Sequence, residues 1–316
     1  MIKKLYSHIY SHLSTKQKGM LTKATFLLPT KPRVRNDHIA TKIKFPNNEK
    51  GGVIISADFE MSWAWRYTKT NKDYILQGLQ ERKNFPKIIH LFDKYNIPIT
   101  FATVGHLFLE KCDENDHKHM KRIPHFNDHW NFTTGDWYDH DPNSSYLNDP
   151  AWYAPDLIKM IIASPVKHEI GTHTFSHIDF SYNNCPSSVA DDEIAECIKV
   201  AKPYNLKLES CVFPGGTWGN IEVLKKYGFT IYRRNVHEDI AYPYRDSHGL
   251  LVSPTSSCLE YNLNSGWSNK YFIKRIKKYI NKAIKSNTIA HFWFHPSLDP
   301  MFLEKVFPNI LEFMNL

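Results

Sequence analysis

Cysteine is scarce in this chain, and none of it is paired by spacing. The five cysteines (Cys112, Cys185, Cys197, Cys211 and Cys258) are odd in number and include no C-x-x-C pair. That argues against a disulfide framework and against a cysteine-type zinc site, and it favours a reducing, cytoplasmic setting. Long apolar runs are missing too. No stretch approaches the roughly 18 residues a membrane helix needs, so no spanning segment is expected. The N-terminus has charge but no apolar h-region and no small-residue cleavage site, so no secretory signal is expected. Acid is absent from residues 1–35, which hold eight bases: Lys3, Lys4, Lys16, Lys18, Lys23, Lys31, Arg33 and Arg35. Those eight taken from the 40 Lys and Arg leave 32 bases against 32 acids, so the formal charge of +8 belongs to the arm. A neutral body argues against a nucleic-acid binder. Ile2, Leu5, Ile9 and Leu13 fall at helical spacing beside Lys3 and Lys4. The arm is therefore either a solvated terminus or a peripheral contact with the inner face of a membrane.

What is present is an alternation of short apolar runs with amphipathic stretches. Residues 1–50 read as the basic arm and residues 51–316 as one α/β domain. Val53-Ile54-Ile55-Ser56-Ala57 is too short and too β-branched for a helix and predicts a buried strand. Residues 98–104 predict a second strand, and further strands are expected at about 166–172, 209–213, 229–233 and 288–294. Helices are expected at about 72–95, with Pro86 starting a second one, and at 187–202 with Ser187 or Ser188 as N-cap. Two more fall at 221–227 and 269–286. Strands alternating with helices imply parallel βαβ units and a closed or distorted barrel. Residues 111–156 break the pattern and are too long for an ordinary connection.

Four strand ends carry chemistry. After the first strand come Asp58-Phe59-Glu60, with both carboxylates on one side of an extended segment. Gly171-Thr172-His173-Thr174-Phe175-Ser176-His177 places two imidazoles four residues apart, a spacing that lets both reach one metal ion. Pro214-Gly215-Gly216-Thr217-Trp218 follows another strand, where glycines permit close backbone approach to a ligand. His291-Phe292-Trp293-Phe294-His295-Pro296 ends the last strand. Each motif alone has an ordinary structural reading. Their joint appearance at the mouth of one α/β sheet is far more specific.

In this order the motifs resemble the polysaccharide deacetylase family (carbohydrate esterase family 4). Gly171 to His177 matches the family's second motif. Ser56-Ala57-Asp58-Phe59-Glu60 resembles the first motif of a branch with Asp-x-Glu, and His291 to Ser297 resembles the last. The resemblance covers about residues 50–300. It implies a single distorted (β/α) barrel and metal-dependent removal of an acetyl group, N-acetyl above all, from a sugar or glycan precursor. It further implies a divalent metal, zinc first, held by His173, His177 and a carboxylate. Asp58 is then the general base and His295 the general acid. Glu60 is the candidate third ligand, with Asp58 as the alternative. Where the family often carries Arg before its Pro/Gly turn, this chain has Val212, and Arg233 or Arg234 is the possible substitute. Asp179 and Asp299 are candidates for orienting His295.

Trp63, Trp137, Tyr138, Pro214, Gly215, Gly216 and Trp218 are candidate substrate contacts. Trp130, Trp152 and Tyr153 join them as possible sugar platforms, unless the aromatics pack a small core beneath the loop. A separate metal site drawn from His117, His119, His125 or His129 is also conceivable. Two other functions stay open: a hydrolase of another amide or ureide, and a silent carbohydrate-binding protein. The sequence gives no oligomeric state.

Overall fold

The structure is a computed structural model that describes residues 13–26, 31–32, 44–66, 73–117, 119–120, 137–235, 239–260 and 266–315. Most of the basic arm, including Ile2, Lys3, Lys4, Leu5 and Ile9, lies outside the described residues, as do His125, His129 and Trp130.

Nine strands form one sheet: β1 (Gly52–Phe59), β2 (Thr100–Thr103), β3 (Glu169–Thr172), β4 (Ser210–Val212), β5 (Ile231–Arg234), β6 (Tyr244–Arg245), β7 (Leu251–Pro254), β8 (Ser257–Cys258) and β9 (Ile289–Phe294). Their order is β6-β7-β5-β4-β3-β2-β1-β9-β8. Every pairing is parallel except β6 with β7. The sheet curls as a distorted (β/α) barrel whose hydrogen bonding stops at the β6 and β8 edges. β1 turns from half-buried at Gly52 to buried from Ile55 to Phe59. Such a continuous run is what a parallel strand covered on both faces requires. The pairs Phe59–Thr103, Thr103–Thr172 and Thr172–Cys211 bring the C-terminal ends of β1 to β4 to a common rim.

The helix Tyr74–Lys94 is single, not the two expected, and Pro86 lies inside it. Phe85, Ile88, Ile89 and Phe92 on both sides of Pro86 are buried together, so one packed face carries the helix through the missing N–H. Asp73 caps it by accepting from the Ile75 and Leu76 amides at 2.9 and 3.1 Å. The helix Ser187–Ala201 starts at Pro186 with no side-chain cap, which corrects the expected serine N-cap. Asn269–Lys285 forms the amphipathic helix read from its isoleucines. The sequence reading missed the helices Thr15–Phe26, Pro155–Ala163, Pro300–Lys305 and Phe307–Met314, together with β6 to β8. No helix among the described residues is long and apolar enough to cross a membrane. No disulfide joins any of the five cysteines.

Candidate metal and acid–base site

Asp58 is the last but one residue of β1, and its carboxylate turns into the barrel. Both of its oxygens receive the Arg233 guanidinium, with Nη2 to Oδ2 at 2.6 Å. Arg233 Nη1 also donates to Ser56 Oγ at 3.0 Å. Arg233 comes from β5, so it reaches Asp58 from one strand beyond Val212. The two side chains are 3% and 4% exposed, which makes this a fully desolvated bidentate pair. Arg234 faces the other way, its guanidinium 4.5 Å from the Trp218 ring.

Glu60 stands just past β1 and faces the two imidazoles. Its Oε1 lies 2.7 Å from His173 Nε2 and 3.4 Å from His177 Nε2. The other ring nitrogen of His173, Nδ1, faces the Val212 carbonyl at 2.7 Å, a contact that orients the ring and aims Nε2 at Glu60. Burial pushes His177 down to about 4 against the pull of Glu60, so its ring is neutral. Burial alone would raise Glu60, but His295, His177 and His173 outweigh it and hold the carboxyl well below its usual range. One carboxylate oxygen and two imidazole nitrogens within 4.8 Å of one another suit a divalent metal. Asp58, Glu60 and His295 also come within that distance. Glu81, buried in the helix Tyr74–Lys94, accepts the Glu60 amide at 3.1 Å. Desolvation and then the Glu60 charge push Glu81 well above the usual value.

The loop bearing the imidazoles is tightly held. Thr174 and His177 both have positive φ, 62° and 55°. Glu193 from the helix Ser187–Ala201 accepts the Phe175 amide at 2.8 Å, the Ser176 amide at 2.9 Å and the Ser176 hydroxyl at 2.6 Å. Arg66 donates to the Ser176 carbonyl at 2.5 Å and to the Trp137 carbonyl at 2.9 Å. These contacts offset the cost of two residues in sparsely populated backbone conformations.

His295 follows β9 at the opposite side of the mouth, with its Nε2 3.7 Å from Glu60 Oε2. Glu260, after β8, accepts both its Nδ1–H and its amide, the latter at 2.9 Å. Burial opposes protonation of His295, but Glu260 and Glu60 outweigh it and push the ring up to about 10. Neither residue proposed from sequence to orient it does so. Asp179 accepts from Ser181 and Asn184, and Asp299 caps the helix Pro300–Lys305. Half-buried Trp65 and Trp293 flank His295 at ring distances of 5.5 and 5.3 Å.

The expected substrate contacts divide. Pro214 is buried, while Gly215 and Gly216 are exposed with φ of 56° and 72°, and Trp218 is half-buried beside them. Trp63, Trp137 and Tyr138 instead lie in the interior, at 0%, 3% and 5% exposure. Trp63 donates to the Trp152 carbonyl and packs on His106, and the Tyr138 hydroxyl points at Glu193. Trp152 and Tyr153 are likewise buried. These five rings form a small core under the insertion and show no open face for a sugar.

A family model described as polysaccharide deacetylase matches residues 73–232. The chain belongs to the polysaccharide deacetylase family. The match includes His173 and His177, whereas Asp58, Glu60 and His295 lie outside it. The fold of this deacetylase-family chain is also similar to solved structures. One is a putative polysaccharide deacetylase from Mycobacterium smegmatis: 15% identity, TM-score 0.60, covering 91% of this chain and 87% of that one. Another is a probable polysaccharide deacetylase from Pseudomonas aeruginosa PAO1: 13% identity, TM-score 0.57, covering 86% and 85%. A third is Puue allantoinase: 13% identity, TM-score 0.56, covering 85% and 85%. No curated protein sequence matches the chain.

Sequence reasoning passed over Glu260, Glu193 and Trp293. Glu260 had no signal, because β8 is only two residues long. Glu193 sits on a buried helical face, and a carboxylate there points to a partner that only the folded chain identifies. The Arg233-Arg234 pair at a strand end was a weak signal for the guanidinium on Asp58.

Proposed function

We propose that the chain is a metal-dependent hydrolase that removes an acetyl group, preferentially an N-acetyl group, from a sugar or glycan precursor. The observation that carries this reading is the convergence of three units on one rim. These are the Glu60–His173–His177 face, the Asp58–Arg233 pair and the His295–Glu260 pair.

Glu60, His173 and His177 would hold the metal, and zinc suits a set of two imidazoles and one carboxylate. When bound, a divalent ion supplies Lewis acidity to the acetyl carbonyl and acidifies a water. Asp58 accepts the proton of the attacking water, and Arg233 fixes the direction from which it does so. His295 gives its Nε2 proton to the sugar nitrogen as the carbon–nitrogen bond breaks, because an amine leaves poorly as an anion. Glu260 holds Nδ1–H and so aims that proton. Free acetate and the sugar amine are the products. Trp65 and Trp293 are the aromatic faces nearest the acid and are proposed to border the sugar. At the Gly215-Gly216 turn the Gly215 N–H is the group proposed to meet the developing oxyanion, because the Gly216 N–H is already given to the Phe213 carbonyl at 3.1 Å.

The test is acetate release from N-acetylated sugars, nucleotide sugars and short glycans. It compares metal-stripped protein, zinc- or cobalt-reloaded protein, and Asp58→Asn. Metal-dependent release that falls by roughly 10²–10⁴-fold in Asp58→Asn is expected. Loaded protein that holds metal at Glu60, His173 and His177 yet releases no acetate overturns the reading. A ureide arm belongs in the panel, because the fold is shared with an allantoinase and Phe59 separates the two first-motif carboxylates.

A further inference from the structure

A second set of ligand-type side chains converges beneath the insertion. His106 stands in the turn Gly105–Phe108 that follows β2. Cys112 and His117 come from the start of the insertion and Asp141 from its far limb. His106 Nε2 lies 3.2 Å from His117 Nε2, 3.4 Å from Cys112 Sγ and 3.4 Å from Asp141 Oδ2. His117 Nε2 is 3.6 Å from Asp141 Oδ2, and Cys112 Sγ is 3.6 Å from Asp141 Oδ1. All four residues are buried.

Hydrogen bonding explains only part of this arrangement: the Tyr153 hydroxyl lies 3.1 Å from Cys112 Sγ, and the Asn143 amide donates to Asp141 Oδ1 at 3.0 Å. A ring nitrogen carries one proton or one lone pair, so His106 Nε2 can satisfy one of its three neighbours. An ion at the centre satisfies all of them. With metal–nitrogen distances of about 2.0–2.1 Å and metal–sulfur of about 2.3 Å, a tetrahedron has N···N edges of about 3.3–3.4 Å and S···N edges of about 3.5–3.6 Å. The 3.2 Å and 3.4 Å separations found here fall within about 0.2 Å of those edges. A thiolate and a carboxylate together cancel a divalent charge, so the occupied site buries no net charge.

We propose that His106, Cys112, His117 and Asp141 bind a structural zinc ion. Four protein ligands leave no open position, which is the mark of a structural site and not a catalytic one. Its place in the fold gives it a purpose. Gly105 donates to the Thr174 carbonyl at 2.8 Å and His106 to the Phe175 carbonyl at 2.9 Å. The ion therefore fastens both limbs of the insertion to the loop that carries His173 and His177. The cysteine arithmetic missed it because its single thiolate has no second cysteine nearby in sequence.

The test uses the full chain, purified without chelator, stripped, and loaded in parallel with zinc and with cobalt(II). Two equivalents of metal per chain are expected, together with a near-ultraviolet cobalt–thiolate charge-transfer band. The Glu60–His173–His177 face contains no sulfur and cannot give that band. Cys112→Ser should lower the stoichiometry from two to one and abolish the band. His177→Ala should lower it from two to one and keep the band, which separates this site from the catalytic reading. A loaded chain with no cobalt–thiolate band overturns the proposal, as does metal content unchanged by Cys112→Ser. If Cys112→Ser does not fold, the band of the unaltered chain decides alone.

Discussion

Asp58 and Arg233 illustrate how much a single buried side chain can control. Each is costly without the other, because removing one partner leaves an uncompensated charge in the barrel. Arg233→Met should therefore lose about 3–5 kcal/mol in denaturant unfolding and most of the turnover. Arg233→Lys should not restore the activity, since an ammonium cannot bridge both Asp58 oxygens. This pairing was only half legible beforehand. The sequence shows Val212 where a guanidinium is usual and two arginines a strand later, but which of them points inward depends on strand parity at β5. His291 offers a second residue-scale test. It is buried between Ser253 Oγ at 2.7 Å and Ser56 Oγ at 3.0 Å. Burial first, and then Arg233, push it down to about 3. Its folded value lies below the unfolded value of about 6.5. The stability it contributes is thus present above about 6.5 and lost as pH falls toward 3. His291→Gln should flatten the acid limb of stability between those values, checked as the wild-type minus variant difference in unfolding free energy against pH.

Among the elements, β3 shows most plainly how packing aims chemistry. A Cβ at Gly171 would meet Ser210 Oγ at 2.2 Å and the Ser210 carbonyl at 2.9 Å. Gly171→Ala should cost roughly 1–3 kcal/mol, read as a lower denaturation midpoint, because β3 and β4 must separate. Adding Ser210→Ala should recover only part, since the carbonyl contact remains. Glu193 acts one element away. Glu193→Gln keeps the shape but weakens the three hydrogen bonds to the 173–177 loop. It should reduce metal affinity about 10–100-fold, measured by competition with a coloured chelator. The long strands and the amphipathic helices were readable because their periodicity spans several residues. β6 and β8 were not, since two residues carry no period. The motif residues were legible as types, while Glu193 and Glu260 acquire meaning only from what the folded chain sets against them.

Metal held at the proposed sites would couple to the stability of the whole molecule. Binding that requires the folded chain stabilises it by about 2.7 kcal/mol when free metal exceeds the dissociation constant 100-fold. Stripped protein should melt lower, and its midpoint should climb with added zinc. Sequence marked the barrel correctly at this scale, but it placed a substrate rim where the structure packs Trp63, Trp137 and Tyr138 as core. Aromatics between charged residues read the same way in either role, and only burial separates them. The position of β1 has a further consequence. It lies between β2 and β9, and Ser56 meets His291 across 235 positions of sequence. At about 5–20 residues per second, a ribosome needs roughly 12–47 s to cover that interval. During that time the nascent β1 holds Val53, Ile54 and Ile55 along an open edge, a template for unwanted pairing. Recovery of soluble protein should therefore depend on growth temperature and on chaperones that shelter an unfinished sheet.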